Sequence, residues 1–214
     1  MKYCTKNYPS REEWLKGRRN SVGASECAIA CGEAKFKSRA DLWEEKTGRK
    51  DAPDLSDNEL VQYGTEAEKY LRGLFALKHK ELKVAHHPYK VFYTDEKPFM
   101  TCTLDGEILK TETGERGILE IKTKSVLAAR DLEFWEGQIP DNYYYQILQQ
   151  FYCTGYDFIV VYVELRFPNY QAELREYWFE RKDKEDDIAY VAKSVSEFWE
   201  YVKQDKRPPE RLSL

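Results

Sequence analysis

Asp105-Gly106 and, a short way downstream, Leu119-Glu120-Ile121-Lys122 are the residues whose types and spacing hold most chemistry. On a strand, residues two apart share a face, so Glu120 and Lys122 point one way while Leu119 and Ile121 point into a packed side. A carboxylate and an ammonium among apolar neighbours are costly to bury unless they are paired or bound to a metal. A turn at Gly106 can bring the Asp105 carboxylate beside Glu120. Two carboxylates held side by side call for a cation between them, and an all-oxygen site suits Mg²⁺ or Mn²⁺. The residues equally allow a Glu–Lys pair on a solvent face with Asp105 as a turn residue. Glu68 is a third candidate. It borders the apolar stripe of a predicted helix, with Arg72 at i+4, so it reads either as an ordinary ion pair with Arg72 or as a further metal position.

The elements that must position these groups read as one α+β domain over 1–214, a sheet flanked by helices. Ser10-Arg11-Glu12-Glu13 forms a capping box before a short helix from Trp14 to about Arg19. Gly23-Ala24-Ser25-Glu26 opens a second helix stopping at Gly32, and Ser38 caps a third from Arg39 to Thr47. A long helix is predicted from about Thr65 to Lys80, with Ala67, Tyr70, Leu71, Leu74, Phe75 and Leu77 on its buried side. Strands follow over Val84–His86, Tyr89–Tyr93, Phe99–Leu104 and Ile118–Thr123, with Gly106 and Gly114 as turns. Asn142 caps a tyrosine-rich helix to Thr154, Phe158–Arg166 and Ala172–Glu180 form an antiparallel pair, and a last helix spans Lys184–Lys203.

Composition narrows the function classes. At 42% apolar and 14% aromatic residues the chain has the means to build a core, which excludes a disordered protein. Its longest apolar run, Phe158 to Val163, is strand length and far below the ~20 residues of a membrane span. No apolar stretch follows Met1-Lys2-Tyr3-Cys4-Thr5-Lys6, so no secretion signal is read and a cytoplasmic location is expected. The net charge of −4 argues against a cationic surface overall, yet a local basic groove remains compatible with it. Five scattered cysteines without a C-x-x-C read as reduced thiols rather than a zinc or iron–sulfur site. His86 and His87 point to opposite faces of a short strand and form no chelating pair. Tyr143-Tyr144-Tyr145, Phe151 and Tyr152 read as core or as a base-stacking surface, and Lys35, Lys37 and Arg39 as a phosphate contact or a solvated face.

In their order these markers resemble the lambda-exonuclease/YqaJ branch of the PD-(D/E)XK nuclease superfamily. The residues carrying the resemblance are Glu13-Trp14-x3-Arg18, Gly23-Ala24-Ser25-Glu26, Gly64-x3-Glu68, Asp105-Gly106, Leu119-Glu120-Ile121-Lys122 and Gln146 in the tyrosine-rich helix. Leu104 stands where the family usually has proline.

The resemblance implies a central mixed sheet flanked by helices and a Mg²⁺-dependent, two-metal 5′-to-3′ exonuclease, with Mn²⁺ able to substitute. Such an enzyme releases 5′-mononucleotides from one strand of a linear duplex. Asp105, Glu120 and the Ile121 carbonyl would hold one ion, and Glu68 with Asp105 the other. Lys122 would orient or deprotonate the attacking water, Gln146 would support the site, and Arg18 with Ser25 would bind the 5′-phosphate. The same resemblance implies double-stranded DNA ends as substrate, a single-strand annealing recombinase as partner, a homotrimer, and phage-type recombination in a bacterial host. The alternatives are a different endonuclease on this fold or a non-catalytic DNA-end-binding protein.

Overall fold

The computed structural model describes residues 1–169 and 171–209, so the last five residues of the expected 1–214 domain, and Tyr170, lie outside the described residues. In chain order the elements are β1 (Tyr3–Asn7), α1 (Arg11–Arg18), β2 (Val22–Gly23), a 3-10 turn (Ala24–Glu26), α2 (Cys27–Cys31), α3 (Arg39–Lys46) and α4 (Glu59–Lys78). There follow β3 (Leu82–Ala85), β4 (Lys90–Thr94), β5 (Met100–Thr101), β6 (Gly106–Lys110), β7 (Arg116–Ser125), α5 (Arg130–Glu133), α6 (Asp141–Thr154), β8 (Phe158–Arg166), β9 (Ala172–Glu180) and α7 (Glu185–Lys203).

Five strands form the main sheet in the order β3-β6-β7-β8-β9, with only the β7–β8 pair parallel. A parallel pair needs a crossover, and α6 supplies it. β8 is buried along nearly its whole length because both faces of the sheet are covered. On one face α4 sets Leu71 and Phe75 against Leu119, Ile121, Val160 and Tyr162. On the other, α2, α6 and α7 enclose the larger core around Cys27, Ile147, Phe151, Val161 and Val195. Four thiols, Cys27, Cys31, Cys102 and Cys153, are buried there, and Cys4 is half-buried; all five are free. Burial pushes the Cys27 and Cys102 thiols well up. Two small sheets, β1 with β4 antiparallel and β2 with β5 parallel, sit beside this core.

Several local expectations need correction. Gly106 does not turn the chain; it opens β6, where a Cβ would come within 3.2 Å of Leu119, while the turn expected at Gly114 is present, φ 79°. The strand expected over 99–104 shortens to β5, so Asp105 precedes the first hairpin strand rather than ending an earlier one. α4 starts six residues earlier than predicted, where the Asn58 side chain accepts the N–H groups of Leu60 and Val61. Tyr70, Leu74 and Leu77 face solvent on α4, at 65%, 47% and 68% exposure, because Leu71 and Phe75 already fill the contact with the sheet. α6 begins at Asp141, with Pro140 rather than Asn142 at its cap. Arg39 is buried over the Phe198 and Tyr201 rings and Lys37 pairs with Glu45 at 2.6 Å, so neither forms a phosphate-binding face. Phe151 and Tyr152 are buried, and Tyr143, Tyr144 and Tyr145 are half-buried and pack against the core.

Candidate active site

The apolar alternation of β7 puts Ile118 and Leu119 into the two cores and turns Glu120 and Lys122 together toward α6. Glu120 is only 3% exposed and pairs with the Lys122 ammonium at 2.6 Å. Buried charge of this kind is tolerated only when the remaining lone pairs are also satisfied. α6 does that. Gln146 donates from Nε2 to Glu120 Oε1 at 2.6 Å while its Oε1 accepts from Lys122 at 3.0 Å. One turn on, the fully buried Gln150 donates to Glu120 Oε2 at 2.5 Å. Lys122 also lies 4.6 Å from the Tyr143 ring centre.

Asp105 reaches the same place from the start of β6. Its Oδ2 accepts the Ile121 N–H at 2.8 Å, and its backbone carbonyl accepts from Arg72 Nε at 2.6 Å and from His86 Nδ1 at 3.1 Å. A carbonyl only accepts, so Nδ1 carries the proton of this imidazole. Glu68 comes in from α4, paired with Arg72 and 3.8 Å from His86. The three carboxylates feel one another. Burial, then the charges of Glu120 and Glu68, push Asp105 well above the usual carboxylate range. Burial, against the pull of Arg72 and with repulsion from Glu120, also raises Glu68. Burial would lower Lys122, but Glu120 and Asp105 outweigh it and hold the ammonium above its usual value.

An oxygen donor set under mutual repulsion suits a hard divalent cation. Among the described residues no three His, Cys, Asp or Glu side chains close around a single point. Lys122, Gln146, Gln150, Arg72 and the Ile121 N–H take up the carboxylate oxygens instead.

Arg18 and Ser25 meet in a cavity that Asp105 and Glu120 also line, Arg18 Nη2 donating to Ser25 Oγ at 3.0 Å and the guanidinium lying 5.0 Å from the Trp14 ring centre. Gly23 makes this approach feasible, since a Cβ there would stand 3.2 Å from Arg18 Nη2. Behind them the nearly buried Lys46 donates to the Arg18 carbonyl at 3.0 Å and to Glu26 at 2.8 Å, and Glu26 accepts the Gly23 N–H at 2.8 Å. One cavity of about 620 Å³ is lined by both clusters, by Arg18 and Ser25, by Thr101 and Thr103, and by Asp105, Glu120 and Gln146. Glu68 and Lys122 are not among its lining residues.

All the expected site residues therefore gather in two linked clusters: Glu68, Asp105, Glu120, Ile121, Lys122 and Gln146 in one, Arg18 and Ser25 in the other. Sequence reasoning missed Gln150, whose signal was its i+4 spacing from Gln146. It also missed His86, which reaches Asp105 from just past the end of β3, where face alternation no longer applies. The Lys46–Glu26 pair gave no signal in sequence.

A family model described as the YqaJ-like viral recombinase domain matches residues 13–157. The curated "Uncharacterized protein YqaJ" of Bacillus subtilis (strain 168) is 29% identical over 196 residues, which are 89% of this chain and 56% of that protein. The chain thus spans little more than half the length of that relative. An alkaline exonuclease, LHK-Exo, from Laribacter hongkongensis superposes with a TM-score of 0.66 at 20% identity, covering 91% of this chain and 93% of its own. A phage related exonuclease from Haemophilus somnus 129PT superposes with a TM-score of 0.58 at 15% identity, covering 86% and 94%. The five-stranded mixed sheet flanked by helices is the PD-(D/E)XK nuclease fold. With its family model covering the stretch from α1 to the turn before β8, this chain belongs to the YqaJ-like viral recombinase domain family.

Proposed function

We propose that this protein is a Mg²⁺-dependent 5′-to-3′ exonuclease that removes 5′-mononucleotides from one strand of a linear DNA duplex. One observation carries the reading: a single cavity is lined both by an arginine–hydroxyl pair and by repelling carboxylates. The names of its structural relatives, an alkaline exonuclease and a phage related exonuclease, agree with it.

In this reading Arg18 and Ser25 take the terminal 5′-phosphate, the guanidinium fork and hydroxyl matching its oxygens. Asp105, Glu120 and the Ile121 carbonyl would hold one divalent cation, and Glu68 with Asp105 a second; Mn²⁺ would serve in place of Mg²⁺. When bound, the ions supply charge neutralisation at the scissile phosphate and acidification of water. Lys122, kept as an ammonium by Glu120 and Asp105, acts as a donor that orients the water and meets phosphoryl charge, not as a base. Gln146 fixes Glu120 and Lys122 together. The water oxygen bonds to phosphorus, the bond to the 3′-oxygen of the first nucleotide breaks, and that oxygen leaves as a hydroxyl. The shortened strand carries a new 5′-phosphate for Arg18. A homotrimer, a single-strand annealing partner, a cytoplasmic setting and a role in phage-type recombination complete the proposal. No helix among the described residues is long and apolar enough to cross a membrane.

The test is digestion of blunt linear duplex with and without 5′-phosphate, of nicked circle and of closed circle, each with Mg²⁺ and with EDTA. Mg²⁺-dependent loss of linear duplex alone supports the reading. Cleavage of closed circles makes the protein an endonuclease, and end binding without cleavage makes it a DNA-end-binding protein.

A further inference from the structure

α6 presents Gln146, Gln149, Gln150 and Cys153 on one stripe, at i, i+3, i+4 and i+7. Gln146 and Gln150 hold Glu120. Gln149, fully buried, does something else: its Nε2 donates to the Val22 carbonyl at 2.7 Å and to the Thr101 carbonyl at 3.0 Å. Those carbonyls belong to β2 and β5, a parallel pair only two residues long. β2 runs directly into Gly23-Ala24-Ser25, the backbone of the Arg18 pocket, and β5 runs through Thr103 to Asp105. Gly23 of β2 and Thr101 of β5 both line the cavity, with Ser21 and Thr103 beside them.

So short a ladder has few bonds of its own to hold its spacing. The Cys153 thiol adds a contact to the Met100 carbonyl at 3.4 Å, and the Ser21 and Thr101 hydroxyls lie 3.1 Å apart on the cavity side. The Gln149 amide is the tie that clasps both strands at once. It does so at a cost, since its Oε1 is equally buried and has no hydrogen-bond partner among the described residues. A buried acceptor left without a partner is unfavourable, and an apolar side chain of the same length would avoid it. The two donated bonds are what the amide contributes in return.

We infer that Gln149 is a positioning residue that sets the distance between the terminal-phosphate pocket and the carboxylate cluster, and thereby the length of the product. This rests on the exonuclease reading above. The number of nucleotides lying between the anchored phosphate and the scissile bond is fixed by that distance. Removing the clasp lets β2 and β5 shift, so the anchored end no longer presents one unique bond.

The experiment compares wild type, Gln149→Met and Leu82→Ala on 5′-phosphorylated and 5′-hydroxyl linear duplex with Mg²⁺, resolving products by length. Leu82 sits in the core on the other face of the sheet and serves as a control for lost stability. For Gln149→Met we expect mono- and dinucleotides mixed, and at least a tenfold fall in the preference for phosphorylated ends through a raised KM. For Leu82→Ala, matched in thermal midpoint by choice of temperature, we expect mononucleotides and an unchanged preference. Mononucleotides alone with unchanged preference in Gln149→Met overturn the inference. Should that variant not fold, Ser21→Ala removes the second tie, and mixed lengths or unmixed lengths decide in the same way. Failure of the exonuclease reading is visible separately, in wild type alone, as no end-dependent product.

Discussion

Gln150 and Gln146 grip the two oxygens of Glu120 from successive turns of α6, Gln150 from full burial at 2.5 Å and Gln146 at 2.6 Å. The carboxylate, already paired with Lys122, is thus fixed in rotation before any ligand arrives, with both of its oxygens accepting hydrogen bonds.

Gln150→Leu should therefore destabilise the fold by about 1–3 kcal/mol, the cost of leaving a buried partner unsatisfied. It should also slow cleavage, because Glu120 Oε2 loses its donor and the carboxylate is held through Oε1 alone. Chemical denaturation with a parallel digestion assay reads both, and unchanged values in both would remove Gln150 from the site.

Asp105→Asn should abolish Mg²⁺-dependent hydrolysis and yet stabilise the metal-free protein at neutral pH. Burial and repulsion from Glu120 and Glu68 raise Asp105 in the folded chain, so folding favours its protonated form. That contribution is fully present in acid and is lost as pH rises through the raised pKa. Thermal midpoints in EDTA should therefore diverge with rising pH, wild type falling relative to Asp105→Asn. Mg²⁺ should raise the wild-type midpoint and leave that of the variant nearly unmoved. Equal curves across the pH range would contradict the clustering of charge.

Lys122→Ala should lower the rate by roughly 10²–10⁴-fold, the range for a positioned proton-transfer or charged group. The ammonium is no metal ligand, so calorimetric Mg²⁺ binding should persist. Loss of binding with an unchanged rate would reverse the assignment.

Arg18→Ala should erase the preference for 5′-phosphorylated ends while slow cleavage continues, since Asp105, Glu120 and Lys122 are untouched. Arg18→Lys should restore only part of the preference, because an ammonium lacks the fork that meets two phosphate oxygens. Time courses on phosphorylated and hydroxyl ends provide the comparison; an unchanged preference in Arg18→Ala would move the anchor elsewhere.

The strand β7 and the caps at Ser10 and Ser38 were legible because each rests on a local rule: alternation for Glu120 and Lys122, a side chain accepting a backbone N–H for the two serines, whereas the roles of the site residues came only from the family resemblance. What escaped depends on tertiary choice. The apolar residues of α4 spread over more than one face, and periodicity alone could not say that Leu71 and Phe75 would be buried while Tyr70, Leu74 and Leu77 stayed outside. Arg39 looked like a surface cation and lies under Phe198 and Tyr201 because α3 packs on α7. β1, Tyr3–Asn7, was not foreseen; its residues are mostly exposed and its order comes from pairing with β4.

The parallel pairing of β7 with β8 sets a timetable for synthesis. Glu120 lies opposite Val161 in that ladder, and α6, which brings Gln146 and Gln150, is the crossover between the two strands. A ribosome that has released Glu120 and Lys122 has released them on a strand with no neighbour on one side, and the helix that must grip Glu120 has nothing to anchor its far end. Long-range pairing of this kind forms late. The growing polypeptide can therefore bring Asp105 beside Glu120 through the β6–β7 hairpin, but Glu120 lacks the grip of α6 until β8 has emerged, and any activity that needs that grip begins only then.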